Sequence, residues 1–310
     1  MGELNCENLF DCKDDSLKAD EAFLPAGANR WTPKRYWKKL NNIAREIISL
    51  GEGDDGSVAI PDLVGLCEVE NDSVLYDLTH RSLLRNAKYD YLITNSPDLR
   101  GIDVALLYSP MTFGIIDTYS IRIPSKKDMR PTRDILYVKG RAASSDTLHV
   151  FVVHAPSRSG GEIETRKNRV LVATTLCESI DSIQMASPRQ KIIVMGDFND
   201  YTGDKSLKII EKHGMTEVSA SAKGKNGAKG TYKFDGEWRS LDHIFVSEAL
   251  LENVVDCSIA DREFLLEEDT TDKGVRPRRN YVGPLWMDGF SDHLPLVMPL
   301  RFNMCQTVYR

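Results

Sequence analysis

The chain has 310 residues, 41% hydrophobic and 28% charged, which allows a sizeable buried core and excludes a disordered or fibrous protein. With 40 basic residues against 46 acidic ones, the net charge is −6. This argues against a passive nucleic-acid-binding module with a basic footprint, but not against a nuclease, because divalent ions offset both a carboxylate cluster and the phosphate that approaches it.

No apolar run approaches the roughly 18 residues of a membrane-spanning helix. From the N-terminus, Leu4-Asn5-Cys6-Glu7-Asn8-Leu9-Phe10-Asp11 places Asn5 and Glu7 on one side if the chain is extended there. This segment follows Met1-Gly2 directly, as expected if an export segment once preceded it, and the compartment is left open.

A helix is expected over 33–50, where Thr32 can cap, Pro33 takes the first position and Gly51 follows the end. Tyr36, Leu40, Ile43, Ala44 and Ile47 form its apolar face. Further helices are expected over 72–85, over 162–184 and just after Asp204. Strands are expected at Leu63–Cys67, Val104–Tyr108, Leu148–His154, Lys191–Met195, Asp242–Val246 and Leu294–Leu300. Several are apolar on both faces, as in sheets packed on each other and covered by helices. Residues 219–230 read as a mobile loop and 266–290 as a long irregular insertion of the kind that often carries function. No linker divides the chain, and a single domain over 1–310 is expected. The cysteines at 6, 12, 67, 177, 257 and 305 make no C-x-x-C pair or Cys/His run. A structural zinc site is therefore not expected, and disulfides are permitted without being implied.

Nearly every expected strand meets polar residues at one end. Leu66-Cys67-Glu68-Val69-Glu70, His154-Ala155-Pro156-Ser157-Arg158 and Gly196-Asp197-Phe198-Asn199-Asp200 close three of them. Ser240-Leu241-Asp242-His243 and Ser291-Asp292-His293 open two more. Each has a bland reading: Asx turns, solvated strand ends, or a hydrogen-bonded structural histidine. Their occurrence together shifts the balance towards attack by water on phosphorus. Carboxylate and amide oxygens suit Mg²⁺ or Mn²⁺, and Asp, Asn and His supply acid/base and charge-stabilising groups. Arg100, Ser157 and Arg158 are candidates for phosphate contacts. Arg276, Arg278 and Arg279 read as a solvated charge run more than as the mouth of a site. His243 should point away from Asp242 along its strand, and the Trp residues read as packing.

In their order along the chain these motifs resemble the endonuclease/exonuclease/phosphatase superfamily, and most closely a bacterial subfamily of predicted nucleases. The matching signatures are Asn-x-Glu-Asn-Leu-Phe-Asp, Arg-Gly-Ile-Asp-Val-Ala-Leu, His-x-Pro-Ser-Arg, Gly-Asp-Phe-Asn-Asp and Ser-Asp-His, from Asn5 to His293. The resemblance implies a four-layer α/β sandwich with two central mixed sheets flanked by helices. It also implies that Glu68 is the principal metal ligand, with Asn5, Glu7 and Asp292 beside the metal. Asp197 would activate water or protonate the leaving group, Asn199 orient phosphate, and Asp242 orient the catalytic His293, with His154 as a second active-site histidine. The expected cofactor is Mg²⁺ or Mn²⁺, with Ca²⁺ an alternative occupant in crystals. The expected activity is phosphodiester hydrolysis on nucleic acid. A phosphomonoesterase or an inositol- or lipid-type phosphodiesterase on the same scaffold is the alternative. A binding module that has lost its chemistry is disfavoured by the intact set. No protein partner is implied.

Overall fold

The computed structural model describes residues 1–302 apart from 53–56, 58, 128, 188 and 284, so Cys305 lies outside the described residues. In chain order the strands are β1 (Gly2–Leu9), β2 (Leu63–Val69), β3 (Asp90–Ile93), β4 (Asp103–Tyr108), β5 (Phe113–Ile121), β6 (Ile135–Ala142), β7 (Thr147–His154), β8 (Lys191–Asp197) and β9 (Met215–Glu217). A hairpin, β10 (Tyr232–Phe234) and β11 (Glu237–Arg239), precedes β12 (Asp242–Ser247) and β13 (Ser258–Ile259). Two more hairpins, β14 (Leu266–Glu268) with β15 (Val275–Pro277) and β16 (Tyr281–Val282) with β17 (Leu285–Trp286), precede β18 (Leu296–Val297). The helices are α1 (Pro33–Ser49), α2 (Asp72–Tyr76), α3 (Glu162–Ala186), α4 (Lys205–Lys212) and α5 (Glu248–Leu251).

Two six-stranded mixed sheets form, ordered β13-β18-β1-β2-β4-β3 and β5-β6-β7-β8-β12-β9. Leu63, Cys67, Val104 and Leu106 of the first sheet meet Val150, Val152, Ile193, Met195 and Ile244 of the second in a shared apolar layer. The outer face of the first sheet, with Leu4, Cys6, Val64 and Leu66, is covered by Leu40, Ile43 and Ile47 of α1. On the far side, Val172, Leu176 and Ile180 of α3 and Leu207 and Ile210 of α4 cover Phe151, Val153, Val194 and Phe245. Helix, sheet, sheet, helix: the expected four layers are present. Strands apolar on both faces are the consequence, because each inner strand packs against the partner sheet and a helix at once.

The helix at α1 forms as its sequence directs, with Pro33 first and Thr32 Oγ1 accepting the Arg35 N–H. Elsewhere the expectations need correction. The single helix over 72–85 is α2 followed by a π turn at Asp77–Arg81 and a 3₁₀ turn at Leu83–Asn86. Thr79 and Ser82 donate their hydroxyls to the Leu75 and Leu78 carbonyls, and Ser82 caps Leu84, so side chains compete with the α ladder there. The expected C-terminal strand is regular over Leu296–Val297, with Leu300 making an isolated bridge to Val254. Residues 219–230 are tied rather than loose: Asp261 accepts the backbone N–H groups of Lys225, Asn226 and Ala228. The 266–290 insertion contains the β14–β15 and β16–β17 hairpins. Among the described residues Cys6, Cys12, Cys67, Cys177 and Cys257 are all free thiols.

One polar stripe of α1 is buried. Lys39 Nζ donates to the Phe290 carbonyl and Asn42 Nδ2 to that of Gly289, 2.6 Å away, so α1 holds the loop that leads into Ser291-Asp292-His293. Fully buried Glu46, one turn on, has no hydrogen-bond partner for its carboxylate among the described residues. Burial pushes its carboxyl up to about 8, against the opposing pull of Lys39 and with Glu7 adding to the rise. The folded protein therefore holds this proton more tightly than the unfolded chain, whose value is near 4.5. Its contribution to stability is lost as pH rises through that window. Thermal unfolding of the wild type should show a midpoint that falls between about pH 5 and 8, and Glu46→Gln should flatten that fall by about 1–3 kcal/mol. An unchanged slope in the variant would show that Glu46 stays ionised in the fold.

Candidate active site

The site lies where both parallel strand pairs end. β1 runs parallel to β2 in one sheet and β7 parallel to β8 in the other, and β12, antiparallel to β8, begins at that same end. The register places His154 opposite Asp197 and Asp197 opposite Asp242, a row of three side chains across the second sheet. Gly196 makes this possible: it has φ +141°, and a Cβ there would meet the Val153 carbonyl oxygen at 1.9 Å. Asp197, Asn199, His154, Asn5, Glu68, Asp292, His293, Arg100, Ser157 and Arg158 line one cavity of about 660 Å³.

On the first sheet, Glu68 reaches this cavity through a defect. Strict alternation would send it outward with Leu66, toward α1. Instead the β2–β4 register shifts between Cys67 and Val69, and Glu68 has φ +62°, a conformation costly for a residue with a Cβ. Its Oε2 accepts the Asn8 N–H at 2.8 Å, while Oε1 lies 3.4 Å from Arg100 Nη1. A matching irregularity in β1 redirects Glu7. With φ +48° at Glu7 and +59° at Asn8, the chain is not extended past Cys6. Glu7 therefore does not join Asn5 in the cavity: its carboxylate accepts the N–H groups of Asn280 and Tyr281 at 2.6 and 3.2 Å. This corrects the expectation from alternation. Glu7 anchors the loop preceding Asp292, and its carboxyl is pushed up to about 7 by burial and by the charge of Asp292.

Asn5 bridges the two sheets. Its Nδ2 donates to Asp197 Oδ2 at 3.0 Å and its Oδ1 accepts the Glu7 N–H at 2.9 Å, which together fix the amide orientation. Asp197 Oδ1 also accepts the Asn199 N–H, and Asn199 Nδ2 holds the Ala155 carbonyl, leaving the Asn199 Oδ1 end towards the cavity. Burial pushes Asp197 up to about 7; Asp242 and Glu68 add repulsion, and the His293 charge resists. A carboxyl balanced near neutrality suits proton transfer in either direction.

His293 Nδ1 faces Asp242 Oδ2 at 2.7 Å, which leaves Nε2 as the ring nitrogen for the cavity. Burial opposes a charge on this ring. It is outweighed by the charge and hydrogen bond of Asp242, with Asp292 and Asp197 behind them, and the ring titrates well above the ordinary histidine value. His154 is the opposite case. Burial and then the charges of Arg133, Arg100 and His293 hold it well below that value, so it is neutral near pH 7. Its Nε2 lies 3.5 Å from Asp197 Oδ2 and 4.0 Å from Glu68 Oε1, polar contacts rather than ion pairs.

Among the described residues Asp197, Asp242 and His293 form the group of acid and imidazole atoms close enough, within 4.8 Å, to share a metal. Asp242 Oδ2 takes hydrogen bonds from both His293 and Thr231 Oγ1, while Asp242 Oδ1 is buried without a hydrogen-bond partner among the described residues. The other acid pair, Glu68 and Asp292, faces positive groups instead: Arg100 at 3.4 Å and Arg279 Nη2 at 3.1 Å. With the amide of Asn5 this is an all-oxygen donor set on one cavity, which fits a hard divalent cation.

Of the remaining expectations, Arg279 alone of the three insertion arginines reaches the site residues, through Asp292; Arg276 pairs with Glu267 and Arg278 lies over Phe290. His243 turns away from Asp242, to Glu217 and to the Asp200 carbonyl. Trp31 is buried, with its Nε1 donating to the Phe10 carbonyl.

Thr231 went unmarked in the sequence because a lone threonine after a glycine-rich loop carries no signal. It is fully buried, donates to Asp242 Oδ2 and accepts the Leu241 N–H. Thr231→Val keeps the shape and loses the donor. It should lower kcat by about tenfold, the scale of one hydrogen bond to a charged group, with KM little changed and the melting temperature lowered because the buried Leu241 N–H loses its acceptor. Thr231→Ser should restore the rate. A rate kept in Thr231→Val but lost in Thr231→Ser would mean that the methyl group, not the hydroxyl, matters.

A model of the endonuclease/exonuclease/phosphatase family matches residues 1–301. No curated protein sequence matches the chain. Among solved structures, an endonuclease/exonuclease/phosphatase family protein from Bacteroides thetaiotaomicron is similar at 18% identity and a TM-score of 0.62, covering 97% of each chain. A mannosyl-6-phosphatase from the same organism is similar at 18% identity and a TM-score of 0.63, covering 97% of this chain and 100% of that one. Truncated Caenorhabditis elegans TDP2 is similar at 16% identity and a TM-score of 0.58, covering 86% of this chain and 92% of that one. At such identities these three share the fold.

Proposed function

The chain belongs to the endonuclease/exonuclease/phosphatase family, and from that premise we propose that it hydrolyses a phosphate ester with the help of Mg²⁺ or Mn²⁺ at the cavity where the two sheets' parallel strands end. The observation that carries this reading is the convergence of a balanced acid (Asp197), a positive imidazole held by a carboxylate (His293 with Asp242) and an all-oxygen acid pair (Glu68 and Asp292) around one space.

In this reading Glu68, Asp292 and Asn5 hold the cation. When bound, it draws charge from the phosphate oxygens and fixes the ester for in-line displacement. His293 donates from Nε2 to a phosphate oxygen, and Asp242, steadied by Thr231, keeps the ring in the tautomer and orientation that allow it. Asp197 takes a proton from the attacking water or gives one to the leaving oxygen, with Asn5 fixing its carboxylate. Asn199 and neutral His154 orient the phosphate. Burial of the row behind the cavity mouth strengthens each of these interactions.

Two substrate classes suit this chemistry: nucleic-acid phosphodiesters, the leading expectation from sequence, and phosphomonoesters of small carriers, the kind of substrate named for the mannosyl-6-phosphatase of the same fold. Both proceed through the same residues. The reading is tested by incubating purified protein with p-nitrophenyl phosphate and bis-(p-nitrophenyl) phosphate in Mg²⁺ or Mn²⁺. Release of nitrophenolate supports it. Inactivity on both esters removes it in favour of a binding role.

A further inference from the structure

The cations that border the cavity are each answered by acids. Arg100 faces Glu68 and donates to Asn8 Oδ1. Arg158 meets Glu162, Asp200 at 3.3 Å and Asp204 at 3.2 Å. Arg279 is held by Asp292. On the β10–β11 hairpin beside the cavity, Lys233 is bound by Asp269 at 2.7 Å and Arg239 by Glu237 at 2.6 Å. Behind it, buried Arg133 is shared between Asp98 and the Ala155 carbonyl.

A polynucleotide brings a charge with every nucleotide, and proteins hold it with rows of Lys and Arg free to take phosphates. Here the positive groups are spent inside the protein, and the chain as a whole carries −6. His293 lines the cavity with its Nδ1 held 2.7 Å from Asp242 Oδ2, beside the acid pair that suits a metal. That is provision for one phosphate.

The rest of the cavity describes what carries the phosphate. Its volume of about 660 Å³ lies within the range of sites that enclose small molecules. Phe234, at the end of β10, is 62% exposed and borders it, an apolar ring face left open at the rim. The Tyr201 face is less available, because the guanidinium groups of Arg158 and Arg239 lie over it at 4.2 and 5.4 Å from the ring centre. Tyr232 is tilted against His293, with ring centres 5.0 Å apart. A second open ring face, as stacking of successive bases would require, is therefore lacking among the described residues at this rim. Asn8, Ser157 and Ser159 also line the cavity, short groups that exchange hydrogen bonds with hydroxyls.

Building on the phosphoesterase reading, we propose that the substrate is a small phosphomonoester on a polyhydroxylated ring, the phosphate at His293 and Asn199 and the carrier's C–H face against Phe234, rather than a nucleic-acid strand.

The full chain with Mg²⁺ or Mn²⁺ is assayed on a hexose 6-phosphate, short single-stranded DNA and supercoiled plasmid, at low and at physiological salt. The hexose phosphate should exceed each of the others in kcat/KM by about tenfold or more. Its rate should change little with salt. Phe234→Ala, at an exposed position, should raise KM for the hexose phosphate several-fold with kcat nearly kept. Preference for DNA or plasmid, falling steeply with salt, overturns the inference. So does a Phe234→Ala enzyme with unchanged KM. Inactivity on all of these and on both nitrophenyl esters overturns the phosphoesterase reading itself, a distinct result.

Discussion

His293→Ala should leave a folded protein whose kcat on a nitrophenyl ester is about 10²–10⁴-fold lower, the range expected for one acid/base group. The loss is large because the ring serves in two ways at once. It is positive near pH 7, since the charge and hydrogen bond of Asp242, with Asp292 and Asp197, overcome the burial that opposes it. It is also fixed in direction, since Nδ1 is committed to Asp242 and only Nε2 is left for phosphate. Alanine removes the positive donor and leaves Asp242 with Thr231 as its hydroxyl partner. Asp242→Asn tests the second half: the ring remains but loses the partner that holds its charge. The raised titration keeps the ring protonated below its folded value, so its contribution to rate declines only on the alkaline side. Asp242→Asn should therefore move the alkaline limb of the pH–rate profile towards neutrality. A His293→Ala rate close to wild type, with the circular dichroism spectrum intact, would remove the dyad from the chemistry.

The central strands were legible because each is a short β-branched run ending in chemistry. β2, β4, β7, β8 and β12 fall where the sequence places them, within about two residues at their ends. β5 and β6 were not marked. The exposure of β5 explains its silence: from Gly114 to Ser120 it is mostly open to solvent, with polar residues interrupting any apolar run. β1 hides for another reason. Leu4 and Cys6 face α1, but Glu3 and Asn5 face the inner layer, so the inward side reads as polar although it is buried. That polarity belongs to the cavity and not to solvent, and one sequence cannot show the difference.

The gathering of His154, Asp197, Asn199, Asp242, Asp292 and His293 was expected from strand-end position together with the family resemblance, since ends of parallel neighbours in packed sheets converge. What period-two reasoning could not supply is the behaviour at bulges. It sends Glu68 away from the cavity and Glu7 into it, and the positive φ at each residue reverses both placements. Nor could it show how the arginines are spent. Arg158 follows His154 at a spacing that invites a phosphate contact, and it lines the cavity. Yet Glu162, Asp200 and Asp204, from 4 to 46 residues further along the chain, surround it. Pairing over such separations exists only in the fold.

Chelation should abolish activity, and Glu68→Gln should raise the Mg²⁺ concentration for half-maximal rate by about tenfold or more, the scale of a disturbed metal site. The motive is the electrostatics of the acid pair. Glu68 Oε1 and Asp292 Oδ2 each meet a guanidinium at 3.4 and 3.1 Å, so both carboxylates answer positive charge where phosphate would arrive. A phosphate placed against two carboxylates without a cation between them would be repelled, and two arginines already shared with acids offset this only in part. Glutamine keeps the size of Glu68 and its acceptor oxygen towards the Asn8 N–H while halving the charge of the pair. The metal should then bind more weakly, while kcat at saturating Mg²⁺ should fall less than in Asp197→Asn. The same titration separates this assignment from its rival. If Asp197, Asp242 and His293, within 4.8 Å of one another, formed the metal cage, Asp242→Asn would shift the metal requirement. In the assignment to Glu68, Asp242→Asn lowers the rate at every Mg²⁺ concentration alike, whereas a cation in the rival cage would take the buried Asp242 Oδ1, which has no hydrogen-bond partner among the described residues. Activity that survives EDTA, or a Glu68→Gln enzyme with an unmoved metal curve, would take the cation away from Glu68.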